Sequence, residues 1–106
     1  MYVITRVWET KPREARRAAT LAALIGEVYE KAGQRSQIQV SFNGGTLPGE
    51  TDRVYMRWIA ERIESPYRGS NEIPAEAQEL GTKMREITLG SWISFEELLT
   101  VDKRQE

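Results

Sequence analysis

The segment RVYMRWIAERIESP, residues 53–66, decides the fold because it has the strongest strand character in the chain. Side chains alternate between the two faces of a β-strand. One face of this strand carries the apolar residues Val54, Met56, Trp58 and Ala60. The opposite face carries Tyr55, Arg57, Ile59 and Ile63. A strand with bulky residues on both faces is usually buried on both, so we expect a sheet that is covered on each side.

The composition predicts a single globular domain over residues 1–106. The chain is 40% hydrophobic and 29% charged, with a net charge of −1, which is ordinary for a soluble domain of this length. That charge attracts neither nucleic acid nor an anionic membrane, and we predict neither as a partner. No apolar run approaches the roughly 18 residues of a membrane-spanning helix. The first residues resemble a strand rather than a signal peptide, so we expect a cytoplasmic protein.

The sequence contains no histidine and no cysteine, and this narrows the chemistry. Catalysis by Ser-His-Asp or Cys-His groups is excluded. The usual imidazole and thiolate sites for zinc, iron and haem are excluded as well. The acidic residues do not have the spacing of a calcium-binding loop. We therefore predict no cofactor and no metal, and any reaction would use tyrosine, arginine, carboxylates or the substrate's own reactivity.

The first part of the chain predicts a strand, a helix and a second strand. Residues 2–9 alternate as the first strand. A helix follows, with Thr10 as its N-cap and an apolar stripe that includes Ala18, Ala22 and Ile25, and it extends to about residue 32. Gly33 ends this helix, because glycine is common just beyond helix ends. Residues 34–42 form the second strand, which is apolar on one face and polar on the other.

The remainder predicts a strand, a helix and a last strand. The turn-rich residues 43–52 connect the second strand to residues 53–66 as a hairpin. A second helix covers residues 74–89 and is ended by Gly90, and residues 91–101 form the last strand. The order β-α-β-β-α-β is that of a ferredoxin-like α+β fold. Such a fold has a four-stranded antiparallel sheet with two helices on one face.

The predicted helices cover only one face of the sheet. The other face would expose large apolar residues from the first, third and fourth strands. That patch is larger than soluble monomers usually expose. We therefore predict a homodimer in which the sheets of two copies cover each other.

Two short segments add a family resemblance to this order of elements. YMRW at residues 55–58 places Trp58 inside the third strand, and SWISFEEL occupies residues 91–98 near the end. With these features and its size, the chain resembles the dimeric α/β-barrel superfamily, in particular its antibiotic-biosynthesis-monooxygenase-like and NIPSNAP-like members. The resemblance implies a barrel shared by two sheets and a pocket between sheet and helices. Activities in the superfamily include cofactor-free oxygenation of polycyclic aromatic compounds, isomerisation, lactonisation and haem degradation, and the missing histidine argues against the last.

Two classes of function fit this reading. One is a small-molecule enzyme, a cofactor-independent monooxygenase or a cyclase/isomerase that acts on an aromatic or polyketide-like substrate in secondary metabolism. The other is a non-catalytic dimeric module for ligand binding or interaction. A cavity of several hundred Å³ beside the helices would favour the first class, and a fully packed interior would favour the second.

We place the candidate site between the sheet and the helices, near Trp58 and the loop at residues 65–73. Arg62 and Tyr67 are the candidate catalytic residues, as an anion partner and a hydrogen-bond donor at the mouth. The candidate ligand-binding residues are aromatic, apolar or cationic: Trp8, Phe42, Tyr55, Met56, Arg57 and Trp58. The alternative for the tryptophans is a place in the core or at the dimer interface, where aromatic residues contribute most.

Arginines at strand positions also have two interpretations. Arg6 and Arg57 need a carboxylate or another acceptor if they are buried. One interpretation is a salt bridge, within the chain or across the dimer, to one of four glutamates: Glu9, Glu61, Glu96 or Glu97. The other interpretation is binding of a phenolate, enolate or carboxylate ligand.

Overall fold

The computed structural model describes residues 1–33, 37–63 and 73–105. Its elements are β1 (Tyr2–Thr10), α1 (Ala15–Lys31), β2 (Gln39–Asn43), β3 (Arg53–Ala60), α2 (Ala75–Ile87) and β4 (Thr88–Glu97), followed by a 3₁₀ turn at Val101–Lys103. The predicted order β-α-β-β-α-β is confirmed.

The four strands form one antiparallel sheet in the order β2-β3-β1-β4. The central strands β1 and β3 pair from Tyr2, opposite Ala60, to Glu9, opposite Arg53. β4 pairs with the other edge of β1, and the register shifts between Glu9 and Thr10. This arrangement confirms the ferredoxin-like fold that the sequence predicts.

The core lies on the sheet face that meets the helices. Ile4 of β1 is buried there with Val54, Met56 and Trp58 of β3. All four are members of the apolar faces that the alternation pattern predicts. α1 supplies mostly small side chains to this core: Ala15, Ala18, Ala19, Ala22, Ile25, Gly26 and Tyr29.

Gly26 shows how closely α1 approaches the neighbouring chain. A Cβ atom added at Gly26 would lie 3.1 Å from Cγ2 of Ile38. Such a distance is shorter than ordinary van der Waals contact between carbon atoms. Gly33 has a φ of 72° just after the C-cap residue Ala32, so it ends α1 as predicted.

The second helix and the edge strand β4 pack much less closely. α2 buries only Ala77, Met84 and Ile87, and no residue of β4 is buried. Ile93 and Phe95 lie opposite Arg6 and Ile4, on the helix side of the sheet. Their exposures of 42% and 43% show that α2 does not cover them.

Two of the predicted helix ends are wrong. Thr10 is the last residue of β1, opposite Thr88 and buried, and Glu14 takes the N-cap position of α1 without a capping hydrogen bond from its side chain. Gly90 lies within β4, opposite Glu9, so it does not end α2. Pairing with β1 extends β4 back to Thr88, and this tertiary contact overrides the local glycine signal.

β1 extends one residue beyond its predicted end, to Thr10, whereas β2, β3 and β4 are shorter than predicted. β3 ends at Ala60, which pairs with the first residue of β1, so residues 61–63 lack a strand partner and their predicted alternation does not apply. β4 ends at Glu97 for the same reason, because Glu97 also pairs with Tyr2. β2 begins at Gln39, and the start predicted for it at residues 34–36 lies outside the described residues.

The sheet face away from the helices remains uncovered in the single chain. Ile59 lies opposite Val3 on this face, and Trp92 lies opposite Val7. Both side chains are 47% exposed. We call this surface, formed by Val3, Tyr55, Ile59 and Trp92, the open face. Its apolar character agrees with the sequence pattern, whereas the predicted dimer across it stays a prediction.

Candidate functional site

A cavity of about 1070 Å³ lies between the sheet and α2. The sheet contributes Arg6 and Trp8 of β1, Met56 and Trp58 of β3, and six residues of β4, which include Ser91, Ile93 and Phe95. The face of α2 that carries Ala77, Gly81, Met84 and Arg85 forms the opposite wall. Ile25 and Tyr29 of α1 line it as well.

The cavity arises because α2 presents small residues to the sheet at this level. A Cβ atom added at Gly81 would meet only Nη1 of Arg85, at 3.9 Å. The space in front of Gly81 is therefore open toward the cavity. Across it, Ile93 and Phe95 keep their apolar side chains exposed to the same space.

Arg6 lies in the sheet wall of the cavity. Met56 and Ile93 are its partners on the two neighbouring strands, so its sheet neighbours are apolar. Nη2 of Arg6 donates a hydrogen bond to Oγ of Ser91 at 3.0 Å. The guanidinium carbon lies 5.8 Å from the centroid of the Trp8 ring. Nε of Arg6 is buried and has no hydrogen-bond partner in the described parts of the chain.

The salt bridge considered for Arg6 is not formed within the described parts of the chain. The carboxylate of Glu9 instead lies 3.8 Å from Nη1 of Arg53. Nη2 of the same arginine lies 3.6 Å from the carboxylate of Glu50. Glu97 pairs with Lys103. The Arg6 guanidinium therefore has a serine hydroxyl and an aromatic ring, rather than a carboxylate, as its described neighbours.

The two charged residues described in the cavity wall, Arg6 and Arg85, are both positive. Arg85 of α2 also lines the cavity, where its Nη2 donates a hydrogen bond to Oγ1 of Thr82 at 3.1 Å. The described lining residues include no aspartate and no glutamate, although the chain contains 16 acidic residues. The site therefore offers positive charge in apolar surroundings, which favours an anionic group.

No metal centre is evident in the parts of the chain that the structure describes. They hold no group of three or more histidine, cysteine or acidic side chains that could coordinate a metal ion. The pKa of the exposed Asp102 carboxyl is lowered by a hydrogen bond from Thr100, but this pair does not line the cavity. None of the described helices is long and apolar enough to cross a membrane.

The structure brings together three of the predicted ligand-binding residues. Trp8, Met56 and Trp58 line the cavity from adjacent strands. Tyr55 and Arg57 lie on the open face instead, where the Arg57 guanidinium carbon is 5.3 Å from the centroid of the Tyr55 ring.

The other predicted site residues lie outside the cavity wall or outside the described chain. Phe42 is exposed on the edge strand β2, beside a smaller depression of about 250 Å³ under the hairpin loop. Arg62 follows the end of β3 and does not line the cavity formed by the described residues. Tyr67 and residues 65–72 of the candidate loop lie outside the described residues. Their roles stay predictions.

Sequence reasoning left two residues out of the site, Arg85 and Ser91. For Arg6 the sequence kept a salt bridge and ligand binding as alternatives, and the structure places this residue in the cavity wall without a described carboxylate partner. Arg85 follows Met84 at the edge of the apolar stripe of α2. In the sequence it resembles an ordinary basic residue near the C-terminus of a helix. Ser91 is brought beside Arg6 only by the register of β4 on β1, which the sequence does not determine.

The fold and the cavity define a ferredoxin-like α+β protein with a cleft between its sheet and its helices. No family model matches the chain, and no curated protein does. The chain is similar in structure to two uncharacterized proteins from Burkholderia xenovorans. A NIPSNAP-like domain protein has 18% identity, a TM-score of 0.72 and coverage of 94% of this chain and 86% of that one. A NIPSNAP domain protein has 10% identity, a TM-score of 0.67 and coverage of 95% and 97%.

A third similar structure bears on assembly. A protein of unknown function from Bacteroides fragilis, described as dimeric and ferredoxin-like, has 13% identity, a TM-score of 0.57 and coverage of 92% of this chain and 96% of that one. Identities this low establish the fold alone. At that level they confirm the resemblance to NIPSNAP-like, ferredoxin-like proteins.

Proposed function

We propose that the protein binds a small, largely apolar organic molecule in the cavity between the sheet and α2. The observation that carries this proposal is the cavity itself. Its volume of about 1070 Å³ is at the upper end of ordinary ligand pockets. Aromatic and aliphatic side chains dominate the described wall, and a few polar groups converge on it, as is typical of small-molecule sites.

Binding in this cavity can be tested by filling it. Leucine in place of Gly81 would project into the open space, and it also suits a helix better than glycine does. Purified wild-type protein would be incubated with a cell extract of small metabolites, and the retained compounds identified by mass spectrometry. We expect Gly81→Leu to lose them and the matched control Gly81→Ala, which adds one methyl group, to keep them. Equal retention by all three proteins would refute the cavity as the site.

For catalysis, the proposal is a cofactor-independent monooxygenation, or a cyclisation or isomerisation, of an aromatic or polyketide-like substrate. An arginine in an apolar wall can stabilise a developing enolate or phenolate. The described lining residues supply no carboxylate or imidazole as a general base, so among them the reaction would rely on a tyrosine or on the substrate's own acidity. Oxygen uptake and product mass would be followed with electron-rich polycyclic phenols in air.

The non-catalytic alternative is supported by the same wall. A site that lacks a general base among its described residues can hold a ligand without converting it. Compounds that bind the wild type and not Gly81→Leu, yet are recovered unchanged after long incubation in air, would favour a dimeric ligand-binding module over an enzyme. Products that form only with the wild type and Gly81→Ala would favour the enzyme.

We also propose that the working form is a homodimer joined through the open faces. Ile59 and Trp92 lie half exposed on this face, and large aromatic and aliphatic residues are the usual centre of a stable interface. The similar protein from Bacteroides fragilis is described as dimeric. In such a dimer the cavity, on the opposite side of the sheet, would stay accessible in both copies.

A further inference from the structure

We propose that the ligand of this cavity is a planar organic carboxylate, with its carboxylate on Arg6 and its apolar body beside Trp8 and Trp58. This inference rests on the proposed ligand-binding function and names the chemical class of the ligand. Three observations carry it: an unsatisfied donor, the sign of the charge in the wall, and the scarcity of other donors around Arg6.

The unsatisfied donor is Nε of Arg6. It is buried and has no hydrogen-bond partner among the described residues, while Nη2 of the same guanidinium reaches Ser91. Buried polar groups in native proteins almost always have a partner, and an exception calls for an explanation. Binding would require the Arg6 side chain to turn Nε toward the cavity, where a carboxylate would supply the missing acceptor. Its two oxygens match the planar fork of N–H donors on a guanidinium.

The charge of the cavity wall also indicates an anionic ligand. Arg6 on the sheet and Arg85 on α2 both line the cavity, and the described lining residues include no acidic side chain. The chain as a whole has nearly equal numbers of acidic and basic residues, 16 and 15. A cavity with two cations and no described anion therefore departs from the balance of the chain, and it complements an anionic ligand.

The surroundings of Arg6 favour a carboxylate over a phosphate. Its cross-strand neighbours Met56 and Ile93 are apolar, and Ser91 is its one hydrogen-bond partner among the described residues. A phosphate has more oxygens and more charge to satisfy, and its sites usually gather several backbone and side-chain donors. A flat apolar acid requires one guanidinium fork and an aromatic wall, which Arg6, Trp8 and Trp58 provide.

The test compares two probes of nearly the same shape, one anionic and one neutral. Binding of 2-naphthoate and of 2-naphthamide, its neutral counterpart, would be measured by calorimetry on the wild type, Arg6→Met, Arg6→Lys, Gly81→Leu and Arg16→Met. We expect the wild type to bind the acid at least about tenfold more tightly than the amide, as charge-assisted hydrogen bonds allow. Arg6→Met should lose this preference and keep its affinity for the amide. Arg16→Met, which removes an exposed arginine of α1, should behave as the wild type.

The remaining variants separate two kinds of failure. Arg6→Lys keeps the charge without the fork, so we expect it to retain only part of the preference for the acid. If acid and amide bind equally to the wild type and Gly81→Leu blocks both, the cavity is a ligand site and the carboxylate inference is wrong. If neither probe binds the wild type, the carboxylate inference is wrong, and the proposed function is then decided by the metabolite-extract experiment. If Gly81→Leu binds both probes as the wild type does, the inference falls together with the proposed function.

Discussion

Arg6 combines a positive charge, apolar strand neighbours and a buried Nε–H that has no acceptor among the described residues. A buried donor that lacks a partner destabilises the folded state, and apolar replacements of similar size often stabilise it. We expect Arg6→Met to raise the free energy of unfolding by about 1 kcal/mol, measured by urea denaturation of the ligand-free protein. Ser91→Ala, which removes the remaining hydrogen bond, should lower it. A loss of stability in Arg6→Met would show that Arg6 serves the fold rather than a ligand.

Thr10 is the second residue with an unsatisfied buried group. Its side chain is buried at the register shift between β1 and β4, and its hydroxyl oxygen has no hydrogen-bond partner. Valine has nearly the same shape without the hydroxyl, so Thr10→Val should raise the free energy of unfolding by about 1 kcal/mol. Thr88→Val is the matched comparison, because the Thr88 hydroxyl donates to the carbonyl of Met84 at 2.9 Å. In thermal unfolding, the melting temperature should rise for Thr10→Val and fall for Thr88→Val.

At the scale of elements, the two helices differ in how closely they approach the rest of the chain. The surroundings of one glycine in each helix show the difference. Gly26 of α1 lies against Ile38, whereas Gly81 of α2 faces the cavity. Alanine is about 1 kcal/mol better than glycine inside a helix. We therefore expect Gly81→Ala to stabilise the protein by about that amount and Gly26→Ala to give no gain, because its new methyl group would crowd Ile38. Equal stabilisation of both variants in urea would contradict this packing.

The elements also show what the sequence can predict. Alternation placed Val54, Met56 and Trp58 on one face of β3, and helical spacing placed Ala18, Ala22 and Ile25 in the core, because both patterns arise from local geometry. The ends of β3, α2 and β4 depend on which residues β1 can pair, and this is a property of the assembled sheet. The cavity depends on the distance between α2 and β4, so the sequence predicted its place between sheet and helices but not its arginine pair.

At the scale of the whole molecule, the open face is the surface that needs a partner. We expect the wild type to have twice the chain mass by light scattering at micromolar concentration, because a second open face would bury Ile59 and Trp92. Ile59→Asp and Trp92→Asp should shift the mass toward that of one chain, since each places a charge in the apolar interface. Leu24→Asp is the control, because Leu24 is similarly exposed on α1. A wild type that stays monomeric would refute the dimer.

The central claim, that the cavity is a ligand site, can be measured with the methionine methyl groups. The chain has three methionines: Met56 and Met84 line opposite walls of the cavity, and Met1 does not. In ¹³C-methyl-methionine NMR, addition of 2-naphthoate should shift the signals of Met56 and Met84 and leave Met1 unchanged. The same titration of Gly81→Leu should leave all three signals unchanged. Unmoved Met56 and Met84 signals in the wild type, or a shift confined to Met1, would contradict the ligand site proposed here.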